Sequence, residues 1–331
     1  MITVFEMFSG YGGASFALKK ANLNYKTVGY SEIDKTAIKC FNNNFPSIQN
    51  FGDCRNINPV RLPNFNLLTA GFPCQPFSGA GKHLGIYDTR GTLFHDIIRI
   101  AEAKKPDYIV LENVKGLTFN NHKKTLQIII EEINRIGYSI NYKVLNSKNY
   151  GTPQSRERVV FVCIKSSINN VFKFPNEEKL TIFLKDLILN DVPKEFYLKQ
   201  NGRKFKKDKF PLKKLNPNEV LSVAIRNKNR SKHQIRGEKY GSYPIDLHLR
   251  FNKDIGVSYT VKSAYREYMI SDINLNNIRC LTPKESFRLM GFFNDEINLK
   301  GISKTGQYKL AGNGWDINLF SKIFKSIYQP L

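Results

Sequence analysis

A chain of 331 residues, 41% of them hydrophobic, carries enough apolar surface to bury a core without a disulfide or metal staple. Its five cysteines (Cys40, Cys54, Cys74, Cys163, Cys280) are odd in number and lack C-x-x-C pairing, which argues against a disulfide framework and a zinc site. Against 51 Lys and Arg stand 28 Asp and Glu; the net charge of +23 attracts phosphate over long range and points to nucleic acid, although a Lys- and Asn-rich composition alone also raises it.

The chain enters a strand at 2–8 with no basic leader or apolar h-region, and no apolar run reaches the ~18 residues of a membrane span, so a cytoplasmic location without membrane contact is expected. Short apolar runs at 27–32, 67–70, 108–112, 140–145 and 159–164 read as further strands. Amphipathic stretches at 14–20, 35–44, 93–103 and 123–136 read as the helices between them, with Asp34 capping the second. Strand and helix alternation of this kind predicts a doubly wound α/β sheet.

Between the first strand and first helix lies Phe8-Ser9-Gly10-Tyr11-Gly12-Gly13, where such a sheet opens a ligand crevice. Glycines there admit a ligand close to the backbone, and they also serve plain turns. Glu32 ends the second strand, where a carboxylate can accept ribose hydroxyls. Asp53, after Gly52, is read as ending another strand, where it can accept from an adenine amino group; both acids could equally be caps. A dinucleotide fingerprint wants glycine at the position of Ser15, so an adenosyl ligand without pyrophosphate suits the turn better.

Gly71-Phe72-Pro73-Cys74-Gln75-Pro76 follows the strand at 67–70, and its two prolines bracket Cys74 on a stiff loop, as a displayed nucleophile requires. Glu112-Asn113-Val114 ends another strand, so its carboxylate faces the same edge, partly desolvated and suited to proton donation. Gln154-Ser155-Arg156-Glu157-Arg158 sets two guanidiniums on alternate positions, for ion pairs or for carbonyl and phosphate contact. From 169 to 277 periodicity weakens and basic residues crowd, as in 203–207 and 226–239, which reads as an irregular, partly β unit. Order returns with the capping box Thr282-Pro283-Lys284-Glu285 opening a helix to 290, and with a last amphipathic helix after Asp316 that presents Ile317, Phe320, Ile323, Phe324 and Ile327.

These stretches, in this order and spacing, resemble the motifs of the DNA (cytosine-5) methyltransferase family of restriction-modification type, over 5–165 and from 279 to the end. The resemblance implies an S-adenosylmethionine-dependent, Rossmann-like fold with a mostly parallel sheet and a smaller DNA-recognition domain. Residues 1–170 would be catalytic, 171–277 target-recognising, and 278–331 a return to the catalytic domain. It implies that Phe8, Ser9, Gly10, Gly12, Gly13, Glu32, Ile33, Asp53, Pro73 and Asn313 hold S-adenosyl-L-methionine, which leaves as S-adenosyl-L-homocysteine. Cys74 would attack cytosine C6, Glu112 would contact N3, and Arg156 and Arg158 would meet the base, with Arg156 on O2. Double-stranded DNA would meet Ser78, Gly79 and Arg90 on the catalytic loop and Arg226, Lys228, Arg230, Lys232 and Arg236 on the basic insert. No metal is implied, a monomer is expected, and the family type allows a cognate restriction endonuclease acting on the same sequence. Two departures stand out: Gly312-Asn313 continues as Gly314-Trp315, and Gly291-Phe292-Phe293-Asn294 lacks a proline common after that glycine.

Because cytosine C5 is too electron-poor to take a methyl until a nucleophile adds at C6, and a stacked base cannot be reached, the reading entails a covalent adduct and a flipped base. An RNA cytosine methyltransferase is the nearest rival. An NAD-linked oxidoreductase gives no role to the Pro-Cys loop, and a non-catalytic DNA-binding module is the third alternative.

Overall fold

The structure, a computed structural model, describes residues 1–72, 93–169, 171–197, 205–207, 220–227, 247–263, 268–272 and 277–329. Six strands form the main sheet: β1 (Ile2–Met7), β2 (Tyr25–Ser31), β3 (Leu67–Gly71), β4 (Tyr108–Val114), β5 (Tyr138–Asn146) and, after the two-residue β6 (Gln154–Ser155), β7 (Glu157–Lys165). Their order is β2-β1-β3-β4-β7-β5; β2, β1, β3 and β4 run parallel, and β7 is antiparallel to both β4 and β5.

Alternation along these strands explains the layering. Val4, Leu67, Val110 and Val160 enter one core with helix α1 (Gly13–Lys20) and the C-terminal helix, whereas Phe5, Leu68, Ile109 and Phe161 enter the other with α3 (Leu93–Lys104) and α4 (Lys123–Arg135). Side chains of a strand point alternately to opposite faces, so a sheet covered on both sides reads as continuously apolar runs. Helix α2 (Lys35–Asn44) starts where expected, with the Asp34 carboxylate accepting from the Thr36 and Ala37 N–H groups. The return of the chain is also as expected: Thr282 and Glu285 form a reciprocal capping box for a helix at Pro283–Arg288, and Asp316 caps Ile317–Tyr328, whose Ile317, Phe320, Ile323, Phe324 and Ile327 are buried. The sequence gives no hint of the helix Lys304–Asn313, which Ser303 caps and which carries Gly306 and Gly312.

A second sheet has the order β13-β12-β9-β10-β8, built from β8 (Phe205–Lys207), β9 (Leu221–Asn227), β10 (Leu247–Phe251), β12 (Tyr268–Ser271) and β13 (Arg279–Cys280). Its core is small: Val192, Phe196, Leu221, Val223, Met269, Ile278, Cys280 and Tyr308. Residues leading into it are shared with the first body, since Phe172, Leu184 and Leu187 pack in the core that holds α1. A two-stranded parallel pair, β11 (Ser258–Tyr259) beside β6, bridges the two sheets. No helix among the described residues is long and apolar enough to cross a membrane.

Candidate active site

The main sheet changes direction of winding between β1 and β3, which leave their carboxyl ends side by side, and a crevice opens at such a switch point. There a cavity of about 530 Å3 is lined by Phe8, Gly10, Glu32, Asp34, Gly71, Glu112, Arg156, Arg158, Lys309 and the Gly312–Gly314 turn, among others. Its size falls in the range of small-molecule sites. A smaller cavity adjoins it under the glycine turn, lined by Glu6, Ser9, Gly13, Thr69 and Trp315.

The turn is shaped by unusual backbone. Phe8 has φ +52°, a conformation costly for a bulky side chain and kept only where its surroundings enforce it. Gly10 (φ +56°) has open space where a Cβ would stand, so the backbone there is bare toward the cavity. The turn's N–H groups are satisfied from within: Ser9 N donates to Ser31 O, Gly10 N to Glu32 Oε2 (3.0 Å), and Gly12 N to Ser9 O. At the start of α1, Ala14 N (3.2 Å) and Ser15 N (3.0 Å) donate to the carboxylate of Glu6, and so does the Ser15 hydroxyl. Glu6 is buried, and burial pushes its pKa up to about 7. Sequence reading passes over Glu6, an acid in an apolar strand; its presence there was the available signal. An anion seat at a helix N-terminus is thus filled by the protein's own carboxylate.

Around the turn, Glu32 also accepts from the N–H groups of Ile33 (2.8 Å) and Asp34 (2.9 Å). Ile33 stands 66% exposed just outside the cavity lining. Ser9 Oγ is buried without a hydrogen-bond partner, beside Gly13, which packs against Trp315. Asp53 follows Gly52, whose carbonyl accepts from the Ser31 hydroxyl (2.7 Å) at the end of β2. Instead of ending a strand it follows an isolated bridge at Asn50 and caps the single turn Cys54–Asn56, and the Arg55 guanidinium holds its carboxyl below the usual range.

At the far wall, β3 and β4 pair Gly71 with Glu112, and Asn113 Nδ2 donates to Phe72 O (3.0 Å), anchoring the last described residue before the Pro-Cys loop. Glu112 is 9% exposed, with Arg158 Nε 2.7 Å from its Oε1. A counter-charge, and not only apolar surroundings, is therefore the neighbour of this carboxylate. Arg156 differs from the expectation of a base contact: it is 2% exposed and its guanidinium donates to the carbonyls of Val261, Gly312 and Gly314. Burial lowers its pKa to about 9, which leaves it charged at neutral pH. Trp315, one of the two departures, lies against Gly71 and Gly13 and stacks on Phe320 at 3.8 Å. Asn313 lines both cavities.

Pro73, Cys74, Ser78, Gly79, Arg90, Lys228, Arg230, Lys232 and Arg236 lie outside the described residues. Arg226 falls on β9, in register with His248 of β10. Among the described residues no cluster of His, Cys, Asp and Glu could hold a metal ion.

The family described as C-5 cytosine-specific DNA methylase matches residues 2–329. The chain is 35% identical to the type II methyltransferase M.NgoBI of Neisseria gonorrhoeae, over 95% of this chain and 89% of that one. To M.HaeII of Haemophilus aegyptius it is 34% identical, over 98% and 92%. In three dimensions it is similar to the Dnmt2 methyltransferase of S. pombe, with a TM-score of 0.68 at 18% identity over 100% and 99% of the two chains. It is also similar to a putative DNA modification methyltransferase encoded within an E. coli prophage, with a TM-score of 0.67 at 19% identity over 99% of each.

Proposed function

The chain belongs to the C-5 cytosine-specific DNA methylase family, and from that premise we propose that it methylates C5 of a cytosine swung out of a specific duplex sequence, through a covalent adduct with Cys74. The observation that carries this reading is the Glu112–Arg158 pair, with Glu112 in register with Gly71, which precedes Pro73 and Cys74 in sequence, in the cavity that also holds the glycine turn.

The residues present suit S-adenosylmethionine. Ser9 Oγ awaits a partner, Gly10 leaves its Cβ space empty, the wall carries the Glu32 carboxylate, and internal acceptors occupy the N–H groups a pyrophosphate would need. Phe8, Ser9, Gly10 and Asn313 would hold its amino-acid end, Glu32 its ribose, and Ile33 and Asp53 its adenine. When bound, the cofactor supplies a methyl group on a positively charged sulfur. The same internal capping speaks against an NAD-linked oxidoreductase.

In the proposed sequence the Cys74 thiolate forms a bond to C6, and the C5–C6 double-bond electrons become available at C5 while charge spreads toward N3 and O2. Glu112 contacts N3, relaying a proton from solvent to it as the adduct forms and taking that proton back when the thiolate leaves. Arg158, beside Glu112, faces O2; Arg156 is committed to three backbone carbonyls and holds the walls of the site. C5 takes the methyl, its proton leaves to solvent, and the re-formed double bond expels the thiolate of Cys74. The second sheet and the basic stretch around it would meet the duplex, with Lys and Arg on phosphate.

Incubation with methyl-labelled S-adenosylmethionine and either unmethylated duplex DNA or structured RNA tests the reading, followed by bisulfite sequencing of the product. Label in DNA at cytosines of one sequence is expected. Label confined to RNA overturns the DNA assignment, and binding of DNA without transfer leaves a non-catalytic module.

A further inference from the structure

Two backbone segments that are far apart in sequence, one at Val261 and one at Gly312–Gly314, meet at Arg156. Its guanidinium donates to Val261 O (3.3 Å), Gly312 O (3.2 Å) and Gly314 O (2.7 Å). Two residues earlier, Gln154 accepts from Val261 N (2.8 Å) and donates to Leu289 O. Thr260 Oγ1 donates to Ser155 O (2.5 Å), and Ser258 N to Pro153 O (2.8 Å). Residues 257–263 are therefore strapped along β6 on one side.

On the other side the strap is tied to the second sheet by side chains. Tyr259 N donates to Ser222 Oγ (3.0 Å) of β9, and Asn252, directly after β10, donates through Nδ2 to Val257 O (2.9 Å). At its end the strap touches the cofactor wall with no side chain between. A Cβ on Gly312 would stand 2.2 Å from Ser263 N and 2.3 Å from the Lys262 carbonyl carbon, so only glycine permits this backbone-to-backbone contact. The segment it touches, Gly312–Gly314, lines the cavity together with Asn313.

We propose that residues 257–263 are a relay through which duplex bound on the second sheet tightens the cofactor site, with Arg156 and Gly312 as its positioning residues. The proposal rests on the reading of the second sheet as the DNA-contacting surface. A duplex that restrains β9 and β10 restrains the strap, and a restrained strap keeps the Gly312–Gly314 carbonyls in the fork of Arg156. The ordering that cofactor binding would otherwise have to impose is then already in place, which is positive coupling, and coupling of this kind is reciprocal. A buried network in which one guanidinium is shared among three carbonyls transmits such restraint because it has few alternative arrangements.

The test measures S-adenosylhomocysteine affinity by calorimetry on the full chain, without and with saturating unmethylated, sheared duplex DNA of mixed sequence. Wild type should bind the probe about tenfold more tightly with DNA present, within the usual span of coupling. In Gly312→Ala the added methyl separates strap from turn, and the ratio should fall toward one while duplex affinity changes by less than about threefold. Thr260→Val, which removes one partly buried bond and conserves volume, should lower the ratio in the same direction and guards against a Gly312 variant that does not fold. A merely structural role would weaken binding equally with and without DNA. A wild-type ratio of one with both ligands bound, or an unchanged ratio in both variants, overturns the relay and leaves the functional reading intact. Failure of wild type to bind duplex overturns that reading, and the relay with it.

Discussion

On the proposed function the two sheets of this protein solve different problems. The six-stranded sheet buries both faces, one against α1 and the C-terminal helix and the other against α3 and α4, and delivers Glu6, Glu32, Gly71 and Glu112 on three of its strands and just after a fourth. The five-stranded sheet has one small core, and two of its members, Val192 and Phe196, precede its first strand. A reaction centre needs groups held to fractions of an ångström, which a doubly covered sheet provides. A surface that meets a long polyanion needs reach and charge more than a deep core.

That contrast is sharpened most by Cys74→Ser, which on the proposed mechanism removes the nucleophile from the first region alone. Methyl transfer should fall by about three orders of magnitude or more while duplex affinity in a gel-shift titration stays near wild type. A variant that turns over within tenfold of wild type would remove Cys74 from the chemistry.

The next largest effect concerns Glu6. Its folded pKa, raised by burial from 4.5 to about 7, means that its contribution to stability is fully present below about pH 4.5 and is lost as pH rises through about 7. The span corresponds to about 3 kcal/mol. In Glu6→Gln this part of the pH dependence should vanish from urea unfolding curves recorded between pH 4 and 8; an unchanged slope would show that Glu6 does not titrate there.

Glu32→Ala removes a charged acceptor of three backbone N–H bonds, so S-adenosylhomocysteine affinity should drop by about ten- to a hundredfold with duplex affinity unaltered. Equal losses for both ligands would blur the division between regions. Smallest is Val223→Ala, in the core of the second sheet, expected to cost about 2 kcal/mol there and to weaken duplex binding several-fold while probe affinity without DNA holds. Loss of probe affinity as well would mean that the two regions stand or fall together.

How legible each region is in the sequence follows from the same contrast. Strands of the first sheet are close in sequence to the helices that cover them, so apolar runs, the Asp34 cap and the 282–285 capping box mark it well. The second sheet is assembled from strands of two to seven residues in the order β13-β12-β9-β10-β8, too short and too scattered for periodicity to speak. The helix Lys304–Asn313 is hidden by its two glycines, which the structure uses for contact with Thr36 and with the strap. Within Gln154–Arg158, alternation suggests that both arginines share one environment. The break between β6 and β7 at Arg156 upsets that parity, so one guanidinium is swallowed by carbonyls and the other meets Glu112. Trp315 was visible only as a departure from the family pattern, and its stacking on Phe320 gives that departure a packing role.

The carboxylate tucked under the first helix has a consequence for ligand choice in a living cell. Nucleoside triphosphates and dinucleotides greatly outnumber most other adenine compounds there, and a conventional glycine turn would welcome their anionic chains. On the proposed function such a chain would meet two N–H groups already spoken for and a buried acid behind them, so the first strand would disfavour phosphorylated competitors ahead of any contact with the sugar or the base.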